Sequence, residues 1–128
     1  MGKGIELKPA HFPGRAPIDT YGNGGFRFAD MSHRGSLLML PSGIYAWPVE
    51  EGADLTVESL KLVLDEAEDI EFLLIGSGQE LRPIPADVKG ALKAAGIGSD
   101  PMSTGAAVRT YNVMLSENRA VAAALIAV

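Results

Sequence analysis

The sequence predicts an α/β fold: short antiparallel strands in the first half, then alternating helices and strands that build a mainly parallel, helix-covered sheet. Three observations carry this reading. Before residue 55, short strand-forming runs are separated by Gly-, Pro- and Asn-containing turns, as in antiparallel structure. After residue 55, apolar residues recur at helical spacing in three stretches, each followed by a short strand-like run. The run 72–75 (FLLI) is continuous, too short for a helix, and stops at Gly76, Ser77 and Gly78. Such a run reads as a strand covered on both faces, in the middle of an α/β sheet.

Residues 1–17 contain three prolines, three glycines and no apolar period, and read as a mobile N-terminal arm with room for one short strand near 5–7. Residues 18–128 then form a single α/β domain. Strands are expected at 18–21 and 25–28 around the turn-rich stretch YGNGGF, with Phe26 and Phe28 on one face and Arg27 on the other. A turn at Arg34 and Gly35 precedes strands at 36–40 and 44–47.

Thr56 is placed to cap a first helix whose apolar face is Leu60, Val63, Leu64 and Ala67. The strand 71–76 follows. Pro85 suits a first helical position, Val88, Ala91, Leu92 and Ala95 form the face of a second helix, and Gly96 suits its C-terminal end. Residues 97–102 are short enough for a strand. Ser103 and Thr104 open a third helix through Ala107, Tyr111, Met114 and Leu115, ending near Asn118. The apolar tail 119–128 then fits a last buried strand.

Composition bounds the function. The chain has 128 residues, 47% hydrophobic and 21% charged, which is a globular profile and enough for a core without covalent staples. A net charge of −5 with scattered basic residues argues against nucleic-acid binding. Zero cysteines remove disulfides, thiolate nucleophiles and Cys-type metal sites. Two histidines, His11 and His33, with Asp30 nearby, read as surface residues, so no metal or other cofactor is expected. The longest apolar run, 120–128, is well short of the ~20 residues that a membrane helix needs. No apolar signal core or import helix is evident at the N-terminus, and the expectation is a soluble, cytoplasmic protein.

Candidate chemistry centres on the exit of the 71–76 strand, because ligands of open α/β sheets bind at the carboxyl ends of strands. Gly76, Ser77 and Gly78 match neither a dinucleotide fingerprint nor a P-loop: Leu81 stands where a third glycine belongs, and no Gly-Lys pair follows. The loop therefore has two readings, a tight strand exit or a place where a ligand approaches backbone N–H groups. In the second, Gln79 supplies a donor, Arg82 a positive charge and Thr104 a helix N-terminus, and the ligand is a small anion. No catalytic residue is assigned. The serines lack a base partner, and Asp65, Glu66, Glu68 and Asp69 read as a solvated helix end.

Three stretches occur in order: Tyr21 with Gly25 and Phe26; the strand ending at Ile75, Gly76, Ser77 and Gly78; and 104–112 (TGAAVRTYN) with Glu117, Asn118 and Arg119. Together they resemble the uncharacterised Mth-like domain family that includes mitochondrial NADH dehydrogenase (complex I) assembly factor three. Ser77 stands where that family often has Thr, and Asn118 where Gly is common. The resemblance covers the chain from about residue 18 onward. It implies three layers, a mixed central sheet flanked by helices, and a small additional β layer from the N-terminal half. It also implies a non-enzymatic binding or assembly role with a protein partner, such as respiratory-complex subunits. The rival expectation is an anion-binding protein or enzyme using the Gly76–Gly78 crevice. An exposed apolar patch at Tyr45 and Trp47 would favour the first, and a closed pocket with convergent donors near Gly78 the second.

Overall fold

The structure is a computed structural model and describes residues 12–128. Its strands are β1 (Thr20–Gly22), β2 (Gly25–Phe28), β3 (Met31–Arg34), β4 (Ser36–Leu40), β5 (Gly43–Trp47), β6 (Phe72–Gly76), β7 (Gly98–Met102) and β8 (Val121–Leu125). Its helices are α1 (Lys61–Asp65), α2 (Ala86–Ala94) and α3 (Thr104–Ser116). Of the arm anticipated over 1–17, residues 1–11, including the strand near 5–7, lie outside the described residues. Phe12 lies antiparallel to Ile44, exchanging two backbone hydrogen bonds of 3.1 and 2.9 Å with it.

The main sheet has the order β5-β4-β8-β6-β7. β8 runs parallel to β6, and β6 to β7, whereas β4 is antiparallel to both β8 and β5. The sheet is therefore mixed, as the resemblance implied, and not mainly parallel as the residue pattern suggested, because β4 and β5 from the first half join it antiparallel. The strand at its centre is β8 rather than the 71–76 strand, which flanks it. β8 is built on three consecutive alanines, and both its faces are covered. Small side chains there let helices approach the sheet closely from either side.

Alternation along β4, β6 and β8 divides the core in two. Leu37, Met39, Leu74, Val121, Ala123 and Leu125 face α3 together with Phe26 and Phe28 of the three-stranded sheet β1-β2-β3. Leu38, Leu40, Leu73, Ile75, Ala122 and Ala124 face α1, α2 and Trp47. A fully buried leucine such as Leu38 or Leu73 contributes about 1.5–3 kcal/mol relative to exposure. The result is three layers, with the small sheet beside α3 in one outer layer.

Two elements differ from expectation. β3 follows β2 through Ala29 and Asp30, both at positive φ (48° and 62°), as in a type I′ hairpin. Such turns are normally signalled by Asn-Gly or Asp-Gly, so this strand is invisible in the sequence. The first helix is broken into a 3-10 turn, Glu58–Leu60, the single α-turn of α1, and a second 3-10 turn, Ala67–Asp69. Thr56 still caps its start: its Oγ1 accepts from Ser59 N–H (3.0 Å), and Ser59 Oγ accepts from Thr56 N–H (3.1 Å).

Candidate functional site

The carboxyl end of β6 meets the start of α3, and here the structure brings Gly76, Ser77, Gly78 and Thr104 together. Gly76 is where the helix comes closest. A Cβ on it would lie 3.0 Å from Thr104 Cα and 3.2 Å from both Ala107 Cβ and Leu125 Cδ2. Ser103 caps α3 by accepting from Ala106 N–H (3.3 Å). That leaves Thr104, completely buried, free to face the sheet. Its hydroxyl donates to the Ile126 carbonyl (2.6 Å) and accepts from Gly78 N–H (3.1 Å), while its own N–H donates to the Gly78 carbonyl (2.8 Å). Thr104 thus joins the loop, the helix and the end of β8.

Ser77 organises the loop that follows. Its N–H donates to the Met102 carbonyl (2.8 Å), its hydroxyl donates to the Glu80 carbonyl (2.8 Å), and the same oxygen accepts from Arg82 N–H (2.9 Å). Gly78 has a φ of 113°, a conformation that favours glycine. Gln79 N–H donates to Glu51 Oε2 (2.7 Å), and a Cβ on Gly78 would meet that same oxygen at 2.7 Å. The backbone donors of residues 77–79 are therefore all engaged by the chain itself. The last of them holds a carboxylate that comes from 28 residues upstream. Arg82 faces Asp54 at 3.9 Å across exposed surface, a contact of little energetic weight. Gln79 and Arg82 border an open depression of ≈ 550 Å³ with Glu51 and Gly52, and Arg82 also borders one of ≈ 290 Å³ with Leu55, Ile84 and Pro85.

Tyr45 and Trp47 do not form the exposed apolar patch that would have favoured the binding reading. Trp47 is 3% exposed, and its Nε1–H donates to the Ser59 carbonyl (2.7 Å). The Tyr45 hydroxyl lies 2.6 Å from Ser42 Oγ. Glu66, read from sequence as a solvated helix end, instead clamps Ser42 through its N–H (3.0 Å) and hydroxyl. Beside Trp47, an open apolar cleft of ≈ 820 Å³ is bordered by Pro48, Val49, Ser36, His33 and Ala127.

His33 is not the surface residue that its turn-like neighbourhood suggested. It is 9% exposed, its Nε2 lies 3.2 Å from the Ser36 carbonyl, and burial lowers its pKa below the usual 6.5. His11 lies outside the described residues. Among the described residues, no group of three or more His, Cys, Asp or Glu side chains could hold a metal ion. Tyr111 sits in the core as its helical spacing requires, and burial pushes its pKa up to about 12 against the opposing influence of Arg15.

Sequence reasoning missed three residues that shape this region. Glu51 carried no signal, since nothing local links it to Gly78. Ser36 donates to the Val49 carbonyl (2.6 Å) and accepts from Ala127 N–H (2.9 Å). Asn112 accepts from Ile18 N–H and donates to the Ile18 carbonyl, both at 2.9 Å, fastening the segment before β1 to α3. A polar amide in mid-helix was the available clue.

Comparison with known proteins adds to this geometry. A family described as "Protein of unknown function (DUF498/DUF598)" matches residues 18–126. Over 122 residues the chain is 30% identical to NADH dehydrogenase (ubiquinone) 1 alpha subcomplex assembly factor 3 of Mus musculus, covering 95% of this chain and 66% of that protein. A crystal structure described as an outer membrane protein from Bartonella henselae has a TM-score of 0.88 at 59% identity, covering 91% of this chain and 98% of that one. The solution structure of a Bordetella pertussis protein described as a Mth938-like domain has a TM-score of 0.77 at 26% identity, covering 98% and 92%.

Proposed function

The chain belongs to the family of unknown function DUF498/DUF598, and from that membership we propose that it is an assembly-factor-like binding module, not an enzyme. The observation that carries the reading is its similarity, along 95% of its length, to a protein named as an NADH dehydrogenase assembly factor. It spans 66% of that relative's length. We take the partner to be subunits of a respiratory membrane complex, met from the cytoplasmic side. Among the described residues no helix is long and apolar enough to cross a membrane. The loop geometry is compatible with such a role, because the N–H groups of residues 77–79 are spent on internal bonds.

The test is affinity capture from native cells with the tagged full chain, followed by identification of NADH dehydrogenase subunits and by fractionation of the untagged protein. Stoichiometric recovery of those subunits is expected. Recovery of metabolic enzymes alone would reverse the order of the two readings.

One observation favours the second reading, an anion site at Gly76, Ser77, Gly78, Gln79, Arg82 and Thr104: the loop already holds a carboxylate, that of Glu51. On this reading Glu51 occupies the place of an external anion. Glu51→Ala should then allow inorganic phosphate to shift the Gln79 amide resonance. An amide that stays still in both proteins leaves the loop as a strand exit.

A further inference from the structure

The charges of this chain are sorted by layer. Residues 50–103 carry four basic side chains against twelve carboxylates. The small sheet and α3, with their flanking residues from 12 onward, carry five arginines (Arg15, Arg27, Arg34, Arg109 and Arg119) against Asp19, Asp30 and Glu117. An acidic protein therefore presents one arginine-rich side. Two of these arginines, Arg27 and Arg34, lie on the three-stranded sheet.

Strand register defines the face they share. Thr20, Arg27 and Ser32 lie directly across from one another, as do Gly22, Gly25 and Arg34. Directly opposed residues share a face, and the opposite face holds buried Phe26, Phe28 and His33. The second row is thus two glycines and one arginine, a floor of bare backbone with Arg34 at its edge. A depression of ≈ 390 Å³ lies over it, bordered by Thr20, Tyr21, Asn23, Arg27, Ser32 and Arg34. Arg27 Nη1 donates to Ser32 Oγ (2.6 Å), which holds its guanidinium over the sheet. Among the described residues, neither Arg27 nor Arg34 forms an ion pair with a carboxylate. Tyr21, 41% exposed, stands at the border with its hydroxyl against Gly105 of α3.

We infer that this face binds an extended, acidic segment of a partner protein through Arg27 and Arg34. The two arginines are diagonal neighbours on adjacent strands, about 7–8 Å apart with their Cβ atoms somewhat closer. Carboxylate-bearing residues at i and i+2 of an extended peptide project from one face about 7 Å apart. That spacing lets each guanidinium take one carboxylate in a forked pair, and at Gly22, where a Cβ would meet nothing within 4 Å, the face is open to a peptide backbone. Exposed arginine is also a side chain that partner surfaces favour. The inference depends on the binding-module reading only in naming a protein as the partner.

The probe is an acetylated heptapeptide with glutamates at alternate positions, titrated into the isotope-labelled full chain at low salt. Amide shifts should cluster at residues 20–22, 25–27 and 32–34, and affinity should fall as salt rises. Arg34→Gln should weaken binding severalfold, and the Arg27→Gln, Arg34→Gln double variant at least ~10-fold. The charge-matched control, Lys89→Gln with Lys93→Gln on the exposed surface of α2, should retain it. Equal weakening in the control would overturn the inference, as would absence of shifts on the small sheet. So would an oligothymidylate bound as tightly as the peptide, which would mark a general polyanion face. Shifts on this face that depend on protein concentration without peptide would assign it to a second copy of the chain, meeting the acidic side. If peptide binding succeeds while affinity capture recovers no respiratory subunits, the functional reading fails and this surface stands. If the double variant captures those subunits as the wild type does, the surface fails and the reading stands.

Discussion

Replacing Thr104 by Val tests the idea that one hydroxyl joins β6, α3 and the chain after β8. The substitution nearly preserves shape but removes the donor to the Ile126 carbonyl and the acceptor for Gly78 N–H. The residue is fully buried, so water cannot replace either bond. An unsatisfied buried polar group costs about 1–3 kcal/mol, and two give a loss of about 2–6 kcal/mol. For a chain of this size that is a drop of about 8–24 °C in the thermal midpoint. Against a typical total stability of about 5–15 kcal/mol it is a large share. Thr104→Ser keeps the hydroxyl, gives up one methyl, and should cost only about 1 kcal/mol. Urea unfolding followed by the fluorescence of Trp47, the only tryptophan and a buried one, measures both. A Thr104→Val protein within ~0.5 kcal/mol of wild type would refute the argument, and so would a Thr104→Ser protein as unstable as Thr104→Val.

Gly76→Ala should cost about 1–3 kcal/mol by overpacking, because its Cβ would press on the α3 backbone at 3.0 Å; an unchanged midpoint would mean that the helix rides farther from the sheet. Removing residues 1–12 should lower the thermal midpoint, since Phe12 supplies both backbone bonds to Ile44 and sets its ring edge-on to Phe28 at 6.4 Å. A truncated protein that melts like the full chain would show this contact to be dispensable. His33 gives a pH signature whose sign follows from burial. Its folded pKa lies below 6.5, so the folded state binds fewer protons than the unfolded one between the two values. Its contribution is complete above about pH 6.5 and is lost as pH falls toward the lower, folded pKa. Midpoints measured from pH 7.5 to 5 should fall, and less steeply in His33→Gln; parallel curves for the two proteins would remove His33 as the cause.

Most strands and the α2 and α3 helices were legible because local signals agreed with the final packing. The 36–40 and 25–28 strands appear with the expected bounds, and Gly96 ends α2 at a φ of 82°. The centre of the sheet was harder. The run 72–75 is more hydrophobic than the alanines of β8, and hydrophobicity drew attention to it, but centrality is set by strand order, which local pattern does not encode. β3 was missed because its hairpin uses Ala29 and Asp30 where glycine or asparagine is usual. At the candidate site, topology pointed to the exit of β6, but Thr104 was joined to it only on the ligand-binding reading, against the reading of a plain helix cap. That Gln79 N–H already has Glu51 as its acceptor was not legible, because the two are joined only by the fold.

The same long-range bonds decide how the arginine face behaves as a surface. The small sheet could have been a loosely attached hairpin layer, since three short strands rarely hold together alone. Here it is fixed from four sides. Asn112 ties the Ile18 backbone to α3, Gly24 N–H donates to the Val128 carbonyl (2.7 Å), Phe26 and Phe28 are buried against Leu37 and Met39, and Tyr21 rests on Gly105. The guanidinium of Arg27 is further restrained by Ser32. A face held in this way loses little conformational entropy when a partner docks, so more of its charge–charge attraction is available as affinity. Arg34, whose side chain forms no ion pair among the described residues, keeps its rotamer freedom and can adjust to the spacing of the incoming carboxylates. One fixed and one adaptable cation on a rigid floor suit recognition of an acidic segment by spacing and charge, without demanding one particular sequence.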